Sequence, residues 1–208
     1  MKEAIVKNKK WILLVISVVL LSWVIGYVFM AQKTYFDEVV YSKIISIKAQ
    51  PTTIVMKLFT VLGSGITLIS IIFTSFCTGY KKYAKYMTIN LMMITILNQI
   101  LKIVFNRPRP EEFRLITESG YSFPSGHSMI SMAFYGLIVY WMIKRVKKPI
   151  IKWSLVTIFM LLIIGIGISR IYLGVHYASD VIGGFCFSIA YLLCFLHLIE
   201  RRKEGEPN

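Results

Sequence analysis

The 208-residue chain is short of charge, of acidic residues and of cysteine. Charged residues make up 16% of the sequence and hydrophobic residues 56%, whereas soluble domains carry roughly a quarter charged residues. This composition excludes a disordered chain, a coiled coil and an ordinary cytosolic enzyme. The three cysteines, Cys77, Cys186 and Cys194, all lie inside apolar runs, which argues against a disulfide framework.

Several motifs for cofactors and metals are also missing. The sequence contains no CxxC or HExxH pattern, no phosphate loop of the form GxxxxGK[ST] and no GxGxxG. It shows no Cys/His spacing typical of a zinc site. We therefore predict a protein that uses neither a metal nor an organic cofactor.

What the sequence does contain is a series of long apolar runs. Six stretches of 16 to 25 residues carry no charged side chain, and about 20 apolar residues suffice for a helix to cross a bilayer. Helices are expected because lipid offers no partner for backbone polar groups. We predict an all-α integral membrane protein, a single domain over 1–208, with six transmembrane helices in a bundle at about 11–32, 54–80, 83–105, 126–144, 151–170 and 176–199.

Basic residues between the runs predict the orientation of these helices. The N-terminus, the tail and the segments after the second and fourth runs hold 15 of the 24 Lys and Arg residues. Since basic loops stay in the cytoplasm, both termini should be cytoplasmic. The first run is longer than the apolar part of a signal peptide, so we expect an uncleaved helix. Topology then explains the net charge of +14, and a nucleic-acid partner is not expected.

Three segments should lie on the opposite side, at about 33–52, 103–126 and 170–180. Alternation between Tyr35 and Ile47 favours a short helix on the membrane surface, and the prolines of 106–110 argue against a continuous helix in the second segment. We expect Arg107 and Arg114 at the surface or on lipid headgroups. Glu111, Glu112 and Glu118 should form a solvated loop, unless they discriminate among headgroups.

Ionisable residues beside membrane spans are candidates for function, and six positions converge on this outer side. Lys102, Arg109 and Arg170 supply three cations without an excess of carboxylates nearby, and arginine matches phosphate oxygens. Ser125 and Gly126 stand at a predicted helix N-terminus, where free N–H groups bind phosphate. Taken singly, Lys102 and Arg170 could merely extend from helix ends toward the membrane surface. Ser125 could be only a helix cap.

Two histidines and an aspartate complete the candidate site. His176 and Asp180 are four residues apart and share a helix face, so Asp180 can bind one ring nitrogen and leave the other as a nucleophile. His127 can act as a general acid and then as a general base. Alone, each histidine could be a satisfied structural residue. Together with three cations, the set suffices for phosphoryl transfer without a metal.

These spacings resemble the type 2 phosphatidic acid phosphatase superfamily. Three signatures match: Lys102-x6-Arg109-Pro110, Pro124-Ser-Gly-His127 and Ser169-Arg170-x5-His176-x3-Asp180. Among its members, the chain looks most like small six-helix bacterial enzymes of the phosphatidylglycerophosphatase B type. The resemblance implies His176 as nucleophile, Asp180 as its orienting residue and His127 as acid/base. It implies that phosphate is held by Lys102, Arg109, Ser125, Gly126, His127 and Arg170.

The function implied is a metal-independent lipid phosphatase of the cell membrane, with its active site on the extracytoplasmic face. Its substrate would be phosphatidylglycerol phosphate, undecaprenyl pyrophosphate or both, with no obligate protein partner. Two other classes stay open: a non-catalytic lipid-phosphate binder or transporter on the same fold, and a vanadate-dependent haloperoxidase, whose site pattern is similar but whose members are soluble.

Overall fold

In the computed structural model, residues 2–30, 34–111 and 114–204 are described, and all regular secondary structure within those ranges is helical. Eight helices follow one another: α1 (Lys2–Met30), α2 (Tyr35–Ile45), α3 (Gln50–Leu62), α4 (Gly65–Cys77), α5 (Lys81–Phe105), α6 (Gly126–Arg145), α7 (Pro149–Tyr172) and α8 (Ala178–Glu204). The expected all-α class is confirmed.

Four of these helices, α5 to α8, are long and apolar enough to cross a membrane. Each one covers a predicted span to within a few residues at the ends, apart from the longer C-terminal extension of α8. Helix α1 also covers most of the first span, although residues 31 and 32 of that prediction lie outside the described ranges. The number of six membrane spans stays a prediction.

The single helix expected over 54–80 is instead a bent pair. Helices α3 and α4 meet at an angle of 52°, and together they would provide a fifth span. The bend falls at Gly63 and Ser64, where the Ser64 side chain accepts a hydrogen bond from the Thr67 N–H and caps α4. A β-carbon at Gly63 would lie 2.7 Å from Ile166 Cγ2, so the absent side chain lets α7 approach closely.

Helix α6 is the centre of the bundle and packs against α5, α7 and α8. Phe134, Leu137 and Ile166 are fully buried along this core. Many large apolar side chains face outward instead, including Phe73 and Trp153, as contact with lipid tails requires. The connections after α6 and α7 are short, and the longer segment after α5 folds back onto the turn between α7 and α8. The end of α5, the start of α6, the end of α7 and the start of α8 therefore meet at one end of the molecule.

Helix α2 closes that end, and the expected short helix between Tyr35 and Ile47 is confirmed. It begins after Thr34, whose side chain accepts from the Asp37 N–H. Its apolar face packs on the junction of α7 and α8, where Phe36 and Val40 contact the cluster of Ile171, Ala178 and Val181. Helix α2 therefore packs against the same end of the bundle where these helix ends meet.

The segment between α5 and α6 has no helix in its described part, as the prolines predicted. Asn106 takes a left-handed conformation, with φ of 44°, and ends α5. The Leu115 N–H then donates to the Leu173 carbonyl over 3.0 Å, and the Ser122 N–H to the Arg107 carbonyl over 2.8 Å. The first bond holds the segment on the turn between α7 and α8, and the second closes the segment on itself.

Candidate active site

A cleft of about 880 Å³ opens where the four helix ends meet. One part is apolar, with Ile69, Ile96 and Ile130 among its walls. The other part is polar and contains five of the predicted site residues: Lys102, Arg109, Gly126, His127 and His176. The other three, Ser125, Arg170 and Asp180, are fully buried directly behind this wall. Residues from across the sequence are thus gathered in one place.

His176 is held through both ring nitrogens. Its Nε2 lies 3.0 Å from Arg109 Nη1, and its Nδ1 lies 3.5 Å from Asp180 Oδ2. Arginine can only donate, so Nε2 must accept and the ring proton belongs on Nδ1, facing the carboxylate. This tautomer presents the lone pair of Nε2 on the side of Arg109, in the wall of the cleft.

Asp180 is fully buried, and both of its carboxylate oxygens accept hydrogen bonds. Its Oδ2 accepts from Ser122 Oγ over 2.5 Å and from the Tyr177 N–H over 2.8 Å. Its Oδ1 accepts from Arg107 Nη1 over 2.6 Å. The carboxylate is therefore fixed in one orientation by groups from the loop before α6 and from the turn before α8.

Arg109 joins that loop to the same turn. Its Nε donates to the Gly120 carbonyl over 2.9 Å, and its Nη2 donates to the Ser119 carbonyl over 3.0 Å. Its Nη1 donates to the Val175 carbonyl over 2.9 Å as well as to His176. Four of its five N–H donors are thus used, which fixes the guanidinium beside the nucleophile candidate.

Arg170 is fully buried and pairs through Nη2 with Glu118, which lines the cleft. Its Nη1 donates to Thr60 Oγ1 over 3.2 Å, while its buried Nε has no hydrogen-bond partner among the described residues. Burial opposes ionisation of Glu118, but the charge and hydrogen bond of Arg170 outweigh it and lower the pKa of this carboxyl. The solvated position expected for Glu118 is therefore wrong: the side chain is 30% exposed and paired.

The start of α6 forms another wall. Ser125 Oγ accepts from Ser128 Oγ over 3.0 Å and makes no side-chain cap, and the Ser125 N–H donates to the Asp180 carbonyl over 3.1 Å. The N–H groups of Gly126, His127 and Ser128 begin the helix and have no acceptor within it. Ser125 thus shapes the turn, and the next three N–H groups are the ones suited to an anion.

Two further residues line this wall. A β-carbon at Gly126 would lie 3.2 Å from Asn98 Oδ1, and Asn98 Nδ2 donates to the Pro124 carbonyl over 3.3 Å, so glycine lets α5 hold the turn closely. Lys102 Nζ donates to the Tyr121 carbonyl over 2.5 Å and lies at the cleft wall.

The surface position expected for Arg107 is wrong. Arg107 is 3% exposed and forms ion pairs with both Asp180 and Asp37. Nothing in the local sequence singles out Asp37, because its pairing depends on how α2 packs. Arg114 and Glu111 are exposed as expected, and Glu112 lies outside the described ranges.

The described residues offer no site for a metal and no disulfide. Among the described residues, no group of three or more His, Cys, Asp or Glu side chains could hold a metal ion. The three cysteines are free thiols. His197 is exposed near the C-terminal end of α8, away from the cleft.

All three signatures of the cleft fall within the part of the chain that matches a known family. Residues 82–204 match the PAP2 superfamily. The chain belongs to this superfamily.

Phosphatidylglycerophosphatase B of Bacillus subtilis (strain 168) is 40% identical over 104 residues, which cover 49% of this chain and 49% of that protein. Lipid A 1-phosphatase of Rhizobium etli is 29% identical over 140 residues, 59% of this chain and 56% of that protein. The chain spans about half the length of these curated relatives.

Solved structures extend the likeness to nearly the whole chain. A transmembrane PAP2-type phosphatidylglycerolphosphate phosphatase from Bacillus subtilis superposes with a TM-score of 0.79 at 27% identity, covering 93% of this chain and 98% of that one. Aquifex aeolicus LpxE gives 0.67 at 25% identity, covering 80% and 98%. Together with the apolar helices, these similarities identify a multi-pass membrane protein with the PAP2 fold.

Proposed function

We propose that this PAP2 protein is a metal-independent phosphatase that removes phosphate from lipid phosphates at the outer leaflet of the cell membrane. The observation that carries the proposal is the state of His176, whose Nε2 accepts from Arg109 while its Nδ1 faces Asp180. That tautomer is the one a nucleophilic imidazole needs. It lies in a cleft that also contains His127 and Lys102.

In the proposed reaction, Nε2 of His176 attacks phosphorus and the bond to the leaving oxygen breaks. His127 donates a proton to that oxygen and then takes a proton from the water that cleaves the phosphorus–nitrogen bond. Inorganic phosphate is released, and the imidazole of His176 is regenerated. Lys102, Arg109, Arg170 and the first N–H groups of α6 stabilise the charge on the phosphoryl oxygens, which is why no metal is needed.

The substrate is proposed to be phosphatidylglycerol phosphate, undecaprenyl pyrophosphate or both. The apolar part of the cleft suits an acyl or isoprenoid chain, since Ile69 on α4 and Ile96 on α5 continue the wall away from the charged part. Both substrates join a phosphate to such a chain. The named activities of the relatives, a phosphatidylglycerophosphatase and a lipid A 1-phosphatase, support this class of substrate.

The placement at the outer leaflet rests on six spans with both termini in the cytoplasm. A reporter fused after Lys203 should read as cytoplasmic, and one inserted beside Glu111 should read as external, because basic loops stay inside. The reverse pair of results would put the cleft on the cytoplasmic face and refute the proposed location.

The activity itself is tested by phosphate release from a panel of lipids with purified full-length protein in excess chelator. We expect release from phosphatidylglycerol phosphate or undecaprenyl pyrophosphate, no release by His176→Ala, and normal release by His197→Ala as a matched histidine control. Binding of a labelled lipid without release by the wild type would favour the non-catalytic binder. Activity that requires added Mg²⁺ would refute the metal-independent scheme.

A further inference from the structure

A buried chain of alternating charges, Asp180, Arg107 and Asp37, lies behind His176, and only Asp180 among them is a signature residue. Arg107 binds Asp180 Oδ1 through Nη1 over 2.6 Å and Asp37 Oδ2 through Nη2 over 2.9 Å. The side chains of these three residues are all 2% exposed or less. The guanidinium also stacks on the Tyr177 ring, 4.2 Å from its centre, so its plane is fixed as well as its charge.

Asp37 anchors this chain of charges to α2. Its Oδ1 accepts from the N–H and the hydroxyl of Ser179 over 2.9 and 2.8 Å, and its Oδ2 accepts from Thr34 Oγ1 over 2.9 Å. Ser179 immediately precedes Asp180 in the first turn of α8. Helix α2 thus binds the turn that carries the residue orienting His176, across more than 140 positions of sequence.

The electrostatic consequence follows from burial. Two carboxylates that face each other without water cannot both stay ionised cheaply, and removing one partner of a buried ion pair leaves an uncompensated charge. Arg107 lies between them and neutralises one of the two. Asp180 can then remain an anion whose other oxygen faces His176.

We propose that Arg107 and Asp37 are positioning residues for the nucleophile: Arg107 keeps Asp180 ionised and oriented toward His176, and Asp37 on α2 holds Arg107 in place. This inference rests on the proposed function of His176. It assigns a mechanistic role to α2, which lies outside the segment that matches the superfamily. The other charged or titratable groups near Asp180 are His176, Arg109 and Lys102.

The test uses p-nitrophenyl phosphate and vanadate as probes with the full-length protein, so that its result can be read whichever lipid is hydrolysed. Arg107→Gln should lower kcat about 10²-fold, as expected for a misplaced reacting group, and leave the vanadate inhibition constant within about threefold. Arg114→Gln, an exposed arginine in the same segment, is the matched control and should behave as the wild type.

The decisive variant is the double substitution of Asp37→Asn with Arg107→Gln. Removing the second buried carboxylate together with the cation should restore kcat at least about fivefold over Arg107→Gln alone, which is a coupling of ordinary size for contacting residues. A purely structural role predicts that the two losses add. Additive losses would therefore overturn the proposal, and so would a wild-type kcat or a raised vanadate constant in Arg107→Gln.

If Arg107→Gln does not fold, Asp37→Asn alone carries the test. It should lower kcat about tenfold through a less constrained Arg107, with the vanadate inhibition constant unchanged. A wild-type kcat in this variant would overturn the proposal. Failure of the proposed function is a separate result, because it would appear as a fully active His176→Ala protein.

Discussion

The two histidines of the cleft lie in opposite kinds of surroundings. His176 is buried, and both of its ring nitrogens have neighbours within 3.5 Å. His127 is partly exposed, and its ring forms no hydrogen bond with any described residue. A nucleophile needs one fixed lone pair, whereas a residue that serves first the leaving oxygen and then water needs room to move. This difference in surroundings supports the different tasks proposed for the two histidines.

The same contrast extends to the residues around each histidine. Behind His176, Asp180, Arg107 and Asp37 form a closed set of short hydrogen bonds. Beside His127, Ser131 Oγ and Arg170 Nε are buried without a partner among the described residues, and Arg170 is paired with a carboxylate that lines the cleft. The polar groups behind His176 are thus fully paired, whereas two buried polar atoms near His127 are not.

The largest effect should come from removing the fixed histidine. His176→Ala should reduce turnover of every phosphate ester at least about 10⁴-fold, because a missing nucleophile cannot be replaced by a better leaving group. Rapid-quench samples should contain no acid-labile, base-stable phosphate on the protein. If this variant still traps phosphate and His127→Ala does not, the two roles are reversed.

Removing the unbound histidine should depend on the leaving group. His127→Ala should lose about 10²–10⁴-fold with lipid phosphates, the usual contribution of acid–base catalysis, but should still form phosphoenzyme from p-nitrophenyl phosphate. Since His127 also activates water, that phosphoenzyme should accumulate. Equal losses with lipid phosphates and p-nitrophenyl phosphate, without accumulation of phosphoenzyme, would contradict the acid/base role proposed for His127.

A smaller effect should follow from filling the space beside His127. A β-carbon at Gly63 would lie 2.9 Å from Ser131 Oγ and 3.4 Å from His127 Cδ2, so Gly63→Ala must displace this wall. We expect about a tenfold loss of kcat, larger with lipid than with p-nitrophenyl phosphate, measured by steady-state kinetics. Gly65→Ala is the control, because nothing lies within 4 Å of its β-carbon; a similar loss in both variants would contradict the explanation.

The smallest effect concerns the carboxylate on Arg170. Glu118→Gln should lower the vanadate inhibition constant about threefold. In the wild type, vanadate must compete with the Glu118 carboxylate for Arg170, and in the variant that competing charge is gone. Arg170 lowers the pKa of Glu118 below its ordinary value of about 4.3, so Glu118 is ionised throughout neutral pH. The difference between variant and wild type should be constant from about pH 6 to 8 and vanish only in more acid solution. A raised constant would instead make Glu118 a contact for the substrate.

Much of this fold and site could be predicted from the chain's own residues. Apolar runs between basic clusters predicted α5 to α8, and the prolines after Asn106 predicted the irregular segment before α6. Residues at the ends of those helices, such as Lys102, Arg170 and His176, were expected to meet because antiparallel neighbours bring alternate ends together. Local composition sufficed here, since each of these features depends on whether a segment prefers lipid or water.

The break at Gly63, the burial of Arg107 and the pairing of Glu118 with Arg170 were decided by tertiary structure. Each depends on which distant residue approaches: Ile166 beside Gly63, Asp37 beside Arg107, Arg170 beside Glu118. A charged residue in a loop has the same local pattern whether water or an opposite charge surrounds it. The sequence by itself determined the helices and the end of the bundle where the chemistry lies, while the partner of each charge was determined only when α2 and the loop before α6 packed over the helix ends, because a buried charge is stable only beside a specific counter-charge.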